Sequence, residues 1–404
     1  MLDVQNVRRD FPILKTGVIY LDSAASSLTP EPVLQSMLEF YHQYRANVVR
    51  GVHHLSQKAS EEYERVHSKV AEFINARSDS EIIITRNTTE GINTVSNGLK
   101  WRNGDKIVTS ILEHHSNFVV WLRVRNQHHV DVEIVRPREP VRRGVLDPAD
   151  FEAVIDDRTR LVAITHASNL LGSITPVEEI AEIAHDHGAY LLLDGAQSVA
   201  HMKVDVRKIG CDFLAFSGHK MCAPTGVGVL YIREDVMGEV EPLCIGGGTI
   251  VDVDLDSYRL EETSSRFEAG TPPIAESIGL GAAVDYLRRL GMENIEAHER
   301  QLTVQMHEGL AGLPQVELYG PEPAEKIGVT AFNVGDLNPH DVALTLDVSA
   351  NIMVRSGHHC AFPLTRQVIR RPGSVRASVY FYNTGAEIEK LVSTVSDLVA
   401  AMNQ

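Results

Sequence analysis

The sequence predicts an α/β protein whose central, mostly parallel sheet is buried on both faces, followed by a smaller α+β unit. Two observations carry that expectation. From about Glu81 to Ile232, short apolar runs alternate with helical stretches, as a sheet covered by helices on both sides requires. After Gly270 the texture changes to long helical patterns and then strands, and elements segregated in this way indicate an α+β unit.

The elements of the first unit are expected in this order: strand EIIIT and a helix through Ile92 to Leu99; strand DKIVTS and a helix from Asn117; strand VDVEIV; strand RLVAITH and a helix from Val177 to His187; then strands AYLLLD, DFLAFS and GVGVLYI. Beyond Gly270 come helical patterns from Pro273 to Leu290 and from Asn294 to Leu310. Strands are expected around Gly328 to Val334 and Asn351 to Arg355, and an amphipathic helix from Glu387 to Met402 closes the chain. We expect a large domain over residues 23–284 and a small domain built from 1–22 and 285–404. No repeat, low-complexity segment or long polar linker interrupts this plan.

With 404 residues, 43% hydrophobic and 23% charged, the chain has a globular composition and length enough for a sizeable core. A net charge of −16 repels phosphate backbones and anionic lipid heads, which argues against nucleic-acid and membrane-surface roles. No apolar run reaches a membrane span, and the opening MLDVQNVRRDFPIL mixes charges into its apolar positions, so a soluble, cytoplasmic protein is expected. The 4 cysteines, Cys211, Cys222, Cys244 and Cys360, form no CxxC pair and support no disulfide framework.

An α/β sheet places its ligands outside the carboxyl ends of its strands. There stands Ser217-Gly218-His219-Lys220, after the apolar strand DFLAF. A lone lysine in a loop is ordinarily a solvated one. Here, however, the neighbouring run AYLLLD ends in Asp194, a carboxylate placed where a buried strand meets the crevice. An amine to hold an aldehyde and a carboxylate to keep a pyridine nitrogen protonated are what pyridoxal phosphate (PLP) requires. Asn87-Thr88-Thr89-Glu90-Gly91, between a strand and a helix, offers a phosphate site; Thr88 or Thr89 equally fits a plain helix cap. Adjacent histidines such as His53/His54 and His358/His359 point to opposite faces of a strand and suggest no metal site.

The strings NTTEGIN, EHHSN, DGAQS, SGHK and RSGHHCAFPL resemble those of the fold-type I PLP-dependent transferases, class V aminotransferase group, and in particular the group II (SufS-like) cysteine desulfurases. The likeness runs from LDSAASSLTP to the YNT ending at Thr384. It implies that Lys220 carries the cofactor as a Schiff base, Asp194 pairs with the pyridine nitrogen and Gln197 touches the ring's phenolic oxygen. His114 would stack on the ring and move protons, and Asn169 would line the cofactor. Thr88, Thr89, Ser217 and His219 would bind the phosphate, with Thr271 reaching into a neighbouring subunit's site, which implies a homodimer. Arg376 would grip the substrate carboxylate, and Arg355 and His53 match further active-site positions.

Cys360 decides the reaction that the resemblance implies: a thiolate that takes sulfur from L-cysteine, releases L-alanine and keeps a persulfide for iron–sulfur cluster assembly. A buried, inert cysteine is the commoner fate of such a residue, but Arg355, His358 and His359 flank this one and would lower its pKa if they point at it. Cys211 and Cys244 read as packing residues. Cys222 and Ala223 replace an aromatic or apolar residue and a glycine that the family usually carries after SGHK-x, which puts the geometry of that loop in question. Selenocysteine lyases and other class V PLP enzymes carry similar strings, and a non-catalytic scaffold would be expected to have lost Lys220, Asp194 or Cys360. The sulfur acceptor implied is a SufE-like or a SufU-like protein. His340, in NPHDV, resembles the histidine that takes over a zinc position of the latter, and equally fits a helix start with nothing to bind.

Overall fold

A computed structural model describes residues 2–402. Seven strands form the main sheet: β1 (Ile82–Thr85), β2 (Lys106–Ser110), β3 (Asp131–Val135), β4 (Thr159–Thr165), β5 (Tyr190–Asp194), β6 (Phe213–Ser217) and β7 (Gly228–Ile232). Their spatial order is β1-β7-β6-β5-β4-β2-β3. Alternation shows why the runs are apolar throughout. Ile82 and Ile84 of β1 enter one core and Ile83 the other; Leu191 and Leu193 of β5 likewise oppose Leu192. Each such side chain contributes roughly 1.5–3 kcal/mol on burial. β3 departs from this pattern, since its position at the sheet edge leaves Asp131 and Glu133 in water.

The sheet is parallel from β3 through β6, whereas β7 runs antiparallel to both β6 and β1. The short loop over residues 218–227 leaves no room for the helical crossover that a parallel return demands. Helices α1 (Glu31–Glu39) and α2 (His54–Phe73) precede the sheet, in a segment to which the strand-and-helix alternation assigns nothing. Helix α3 spans Thr88–Gly98, α4 Val119–His128 and α5 Val177–Asp186.

Next come α6 (Ile274–Leu290), α7 (Met292–Ala311), α8 (Pro339–Ala350) and α9 (Gly385–Met402). They accompany an antiparallel sheet of β8 (Val316–Tyr319), β9 (Val329–Val334), β10 (Arg355–Gly357) and β11 (Ser374–Ser378), in the order β8-β9-β11-β10. Leu302 and Met306 of α7 and Leu391 and Val395 of α9 cover it with Phe332 and Val375. β8, β11 and α8 are elements that the apolar pattern does not announce. Among the described residues, no helix is long and apolar enough to cross a membrane.

Candidate active site

A pocket of about 450 Å³ opens where the carboxyl ends of the parallel strands meet the second sheet. It gathers Thr88 and Thr89, His114, Asn169, Asp194 and Gln197, and Ser217, His219 and Lys220 from the main sheet and its loops; Arg355 and Arg376 come from the other sheet and Cys360 from the turn after β10. Only His53 and Thr271 of the expected residues lie elsewhere.

Lys220 and Asp194 are electrostatically coupled at its floor. Burial pushes the Lys220 amine down to about 8, with the Asp194 charge opposing the fall. A lysine so shifted supplies a free amine far more readily than one in water. Asp194 is buried at the end of β5 and accepts the Ala196 N–H at 2.9 Å. Burial raises its carboxyl while Lys220 and that hydrogen bond hold it back. The Nδ1 of His114 accepts the Ser116 N–H at 3.2 Å, which places the ring proton on Nε2. Burial and the Lys220 charge depress His114 to about 3, so its ring is neutral.

The helix cap is Asn87, neither Thr88 nor Thr89: its Oδ1 accepts the Glu90 N–H at 3.0 Å. Thr88 is thereby free to serve the pocket. Its N–H donates to Ser217 Oγ at 2.9 Å, and the start of α3 favours an anion there. Gly228 makes this approach possible, because a Cβ at that position would stand 2.6 Å from Asn87 Cα. Thr89 shares a hydrogen bond with Ser116, 2.7 Å between hydroxyls. His219 is held to about 4 by burial and by Lys220.

Cys360 is exposed at the mouth. It and His359 take left-handed φ of 55° and 52°, a conformation that costs about 1–3 kcal/mol per non-glycine residue. The main sheet's loops hold it: His115 N–H donates to Cys360 C=O at 2.8 Å, and Asn169 Nδ2 to His359 C=O at 2.7 Å. The flanking histidines do not act as expected. His359 Nε2 turns to Ser374 O at 3.0 Å, His358 packs on Phe362 at 4.4 Å between centroids, and burial depresses both rings. The charges that couple to the thiol are those of Lys220, Arg355 and Arg376.

Arg376 is buried and donates from Nη1 to Asn169 C=O at 2.8 Å and from Nη2 to Asp22 Oδ1 at 3.2 Å. Arg355 donates to the same carboxylate. Asp22 is a site residue that sequence reasoning missed. Its only signal is its place at the start of the LDSAAS string.

Residues 19–391 match the family described as aminotransferase class-V. The chain belongs to the class V aminotransferase family. A probable cysteine desulfurase of Methanothermobacter thermautotrophicus is 47% identical over 397 residues, covering 98% of each chain. The apo structure of the cysteine desulfurase from Thermococcus onnurineus NA1 superposes with a TM-score of 0.95 at 47% identity, covering 99% of each chain. A C-DES mutant with glycine covalently linked to its PLP cofactor gives a TM-score of 0.85 at 25% identity, covering 96% of this chain and 99% of that one.

PLP is the cofactor of this member of the class V family, and the pocket's chemistry fits it. Asn169 Oδ1 and Gln197 Oε1 are buried in the pocket wall with no hydrogen-bond partner, a cost that a ring bearing polar substituents relieves. An amine, a buried carboxylate and a helix N-terminus with two hydroxyls complete what the cofactor needs.

The two expected residues that lie outside the pocket are placed as follows. His53 is exposed and caps α2, its Nδ1 accepting Ser56 N–H at 3.3 Å. Thr271 lines a separate pocket of about 380 Å³ with Arg50 and Glu268. One chain therefore brings neither into the main pocket. In the loop after Lys220 it is Cys222 that takes a left-handed φ, 69°, and its N–H donates to Ser27 Oγ at 2.7 Å. Ala223 has no positive φ, so the missing glycine costs the backbone nothing there. Cys211 is buried as expected; Cys244 is exposed, since it lies in a Gly-rich loop beside exposed Leu243 and Ile245.

Proposed function

We propose that this chain is a PLP-dependent cysteine desulfurase that moves the sulfur of L-cysteine onto Cys360 and releases L-alanine. The observation that carries the reading is the Cys360 thiol, exposed in the same pocket whose floor holds Lys220 and Asp194 and whose wall holds Arg376. Bound PLP supplies an electron sink that weakens bonds at the substrate's Cα and Cβ. Arg376 grips the substrate carboxylate with its planar fork. Lys220, its pKa brought down to about 8, removes and returns a proton at Cα. Neutral His114, in the same pocket, would present an uncharged ring to the bound cofactor. The Cys360 thiolate, in the same pocket as Arg355 and Arg376, attacks the substrate Sγ. An S–S bond forms as the Cβ–Sγ bond breaks, its electron pair remains with the substrate, and protonation of carbon gives L-alanine.

Thr88, Ser217 and His219 hold the phosphate in this reading, and exposed Thr271 reaches the site of a second copy, so the enzyme works as a homodimer with His53 placed by the same contact. Residues 23–284 form the large domain and 1–22 with 285–404 the small one. Pairing of Ile19–Tyr20 with Ile352–Met353 supports assigning the first residues to the latter. The persulfide passes, in the cytoplasm, to a SufE-like or SufU-like acceptor for iron–sulfur cluster assembly. Anaerobic incubation of the holoenzyme with L-cysteine and with L-selenocysteine tests the reaction by L-alanine and persulfide formation. Alanine from both, with a persulfide from L-cysteine, is expected; alanine from L-selenocysteine alone would make the enzyme a selenocysteine lyase.

A further inference from the structure

Arg355 and Arg376 stand directly opposite each other on the β10–β11 ladder. Like charges so placed repel, and Arg376 is buried, so its charge is also deprived of water. One carboxylate answers both. Asp22 Oδ2 accepts from Arg355 Nη2 at 2.9 Å and Nε at 3.1 Å, and Oδ1 accepts from Arg376 Nη2 at 3.2 Å. The backbone fixes Asp22 in place: it bridges to Ser378 of β11, Ser378 N–H donates to Leu21 C=O at 2.8 Å, and Ala24 N–H donates to Ser378 Oγ at 3.0 Å.

The two arginines are left unequal. Arg355 closes its fork on Asp22. Arg376, held by Asp22 and Asn169, keeps a buried Nε with no partner. Taken together, Arg355, Arg376 and Asp22 carry one net positive charge, which one substrate carboxylate neutralises. We propose that Asp22 is a positioning and specificity residue: it occupies Arg355, aims Arg376, and makes the pocket favour amino acids with one carboxylate over those with a second anionic group on Cβ. This rests on the reading that Arg376 receives the substrate carboxylate.

L-Alanine and L-aspartate share the amino-acid head and differ by a β-carboxylate, so titrating the holoenzyme with each, followed by its visible absorbance, isolates the effect. Asp22→Asn frees Arg355, and the ratio of the two dissociation constants should move towards L-aspartate by about tenfold. Asp22→Glu should restore the original ratio. Arg355→Gln removes the occupied cation and keeps Asp22, and should move the ratio about tenfold the other way; it also serves if Asp22→Asn fails to fold. A ratio unchanged in these variants, or an equal weakening of both ligands in Asp22→Asn, overturns the proposal. Arg376→Gln tests the reading beneath it: both ligands should weaken together, and unchanged binding of both would remove the carboxylate from Arg376 whatever Asp22 does.

Discussion

The hydroxyls of Thr88 and Ser217 lie 2.6 Å apart although the two residues are separated by 129 positions. One opens α3 and the other ends β6, and antiparallel β7, lying between β1 and β6, brings those ends together. The pair is a ready anion site, since either hydroxyl can rotate its proton outward.

Thr88→Val keeps the shape and removes one donor. A lost hydrogen bond to a charged group costs about 1.5–3 kcal/mol, so PLP affinity should fall roughly tenfold to a hundredfold. Equilibrium dialysis of the cofactor measures this. Retention equal to that of the unaltered protein would place the phosphate elsewhere.

Cys360→Ala should still take up cofactor and bind L-cysteine, yet form no persulfide and lose L-alanine production by at least about a hundredfold. Mass spectrometry reads the added sulfur atom directly. Cys244→Ser, which alters the other exposed thiol, should retain the persulfide. Persulfide surviving in Cys360→Ala would assign the nucleophile wrongly.

Acid should destabilise the fold partly through His166. Burial depresses its pKa from 6.5 to about 4, so over that interval the unfolded chain binds a proton that the folded chain does not. Stability contributed by neutral His166 is therefore present above pH 6.5 and lost as the pH falls towards 4, by up to about 1.4 kcal/mol per pH unit. Glu113, raised to about 8 by burial, works in the opposite direction between its unfolded value of 4.5 and 8, so comparison with a variant is needed. Urea denaturation of His166→Gln and the unaltered protein at pH 7, 5.5 and 4.5 should show a shallower acid loss in the variant. Parallel curves would contradict the assignment.

His340 is exposed, and its Nδ1 lies 2.8 Å from the hydroxyl of Ser356, a residue of the pocket wall. The other ring nitrogen is the one available to a partner. A zinc-loaded SufU-like protein should stimulate L-alanine production by the unaltered enzyme and not by His340→Ala. Equal stimulation would leave His340 as a helix-start residue and favour a SufE-like acceptor.

Local chemistry made much of this protein legible before folding. Apolar runs such as IIIT, YLLLD and FLAFS become buried strands because a two-residue repeat decides which face each side chain meets. Lys220 and Asp194 could be found because polar groups ending such strands must face a crevice. Tertiary structure alone decided that His358 and His359 turn to Phe362 and Ser374, and that Lys220, Arg355 and Arg376 share one pocket with Cys360. Asp22 is the plainest case, lying 333 positions from Arg355 and 354 from Arg376. No periodicity or propensity spans such distances: which charge meets which is settled only when the β10–β11 ladder and the bridge from Asp22 to Ser378 form, and with them the charge balance at the thiol.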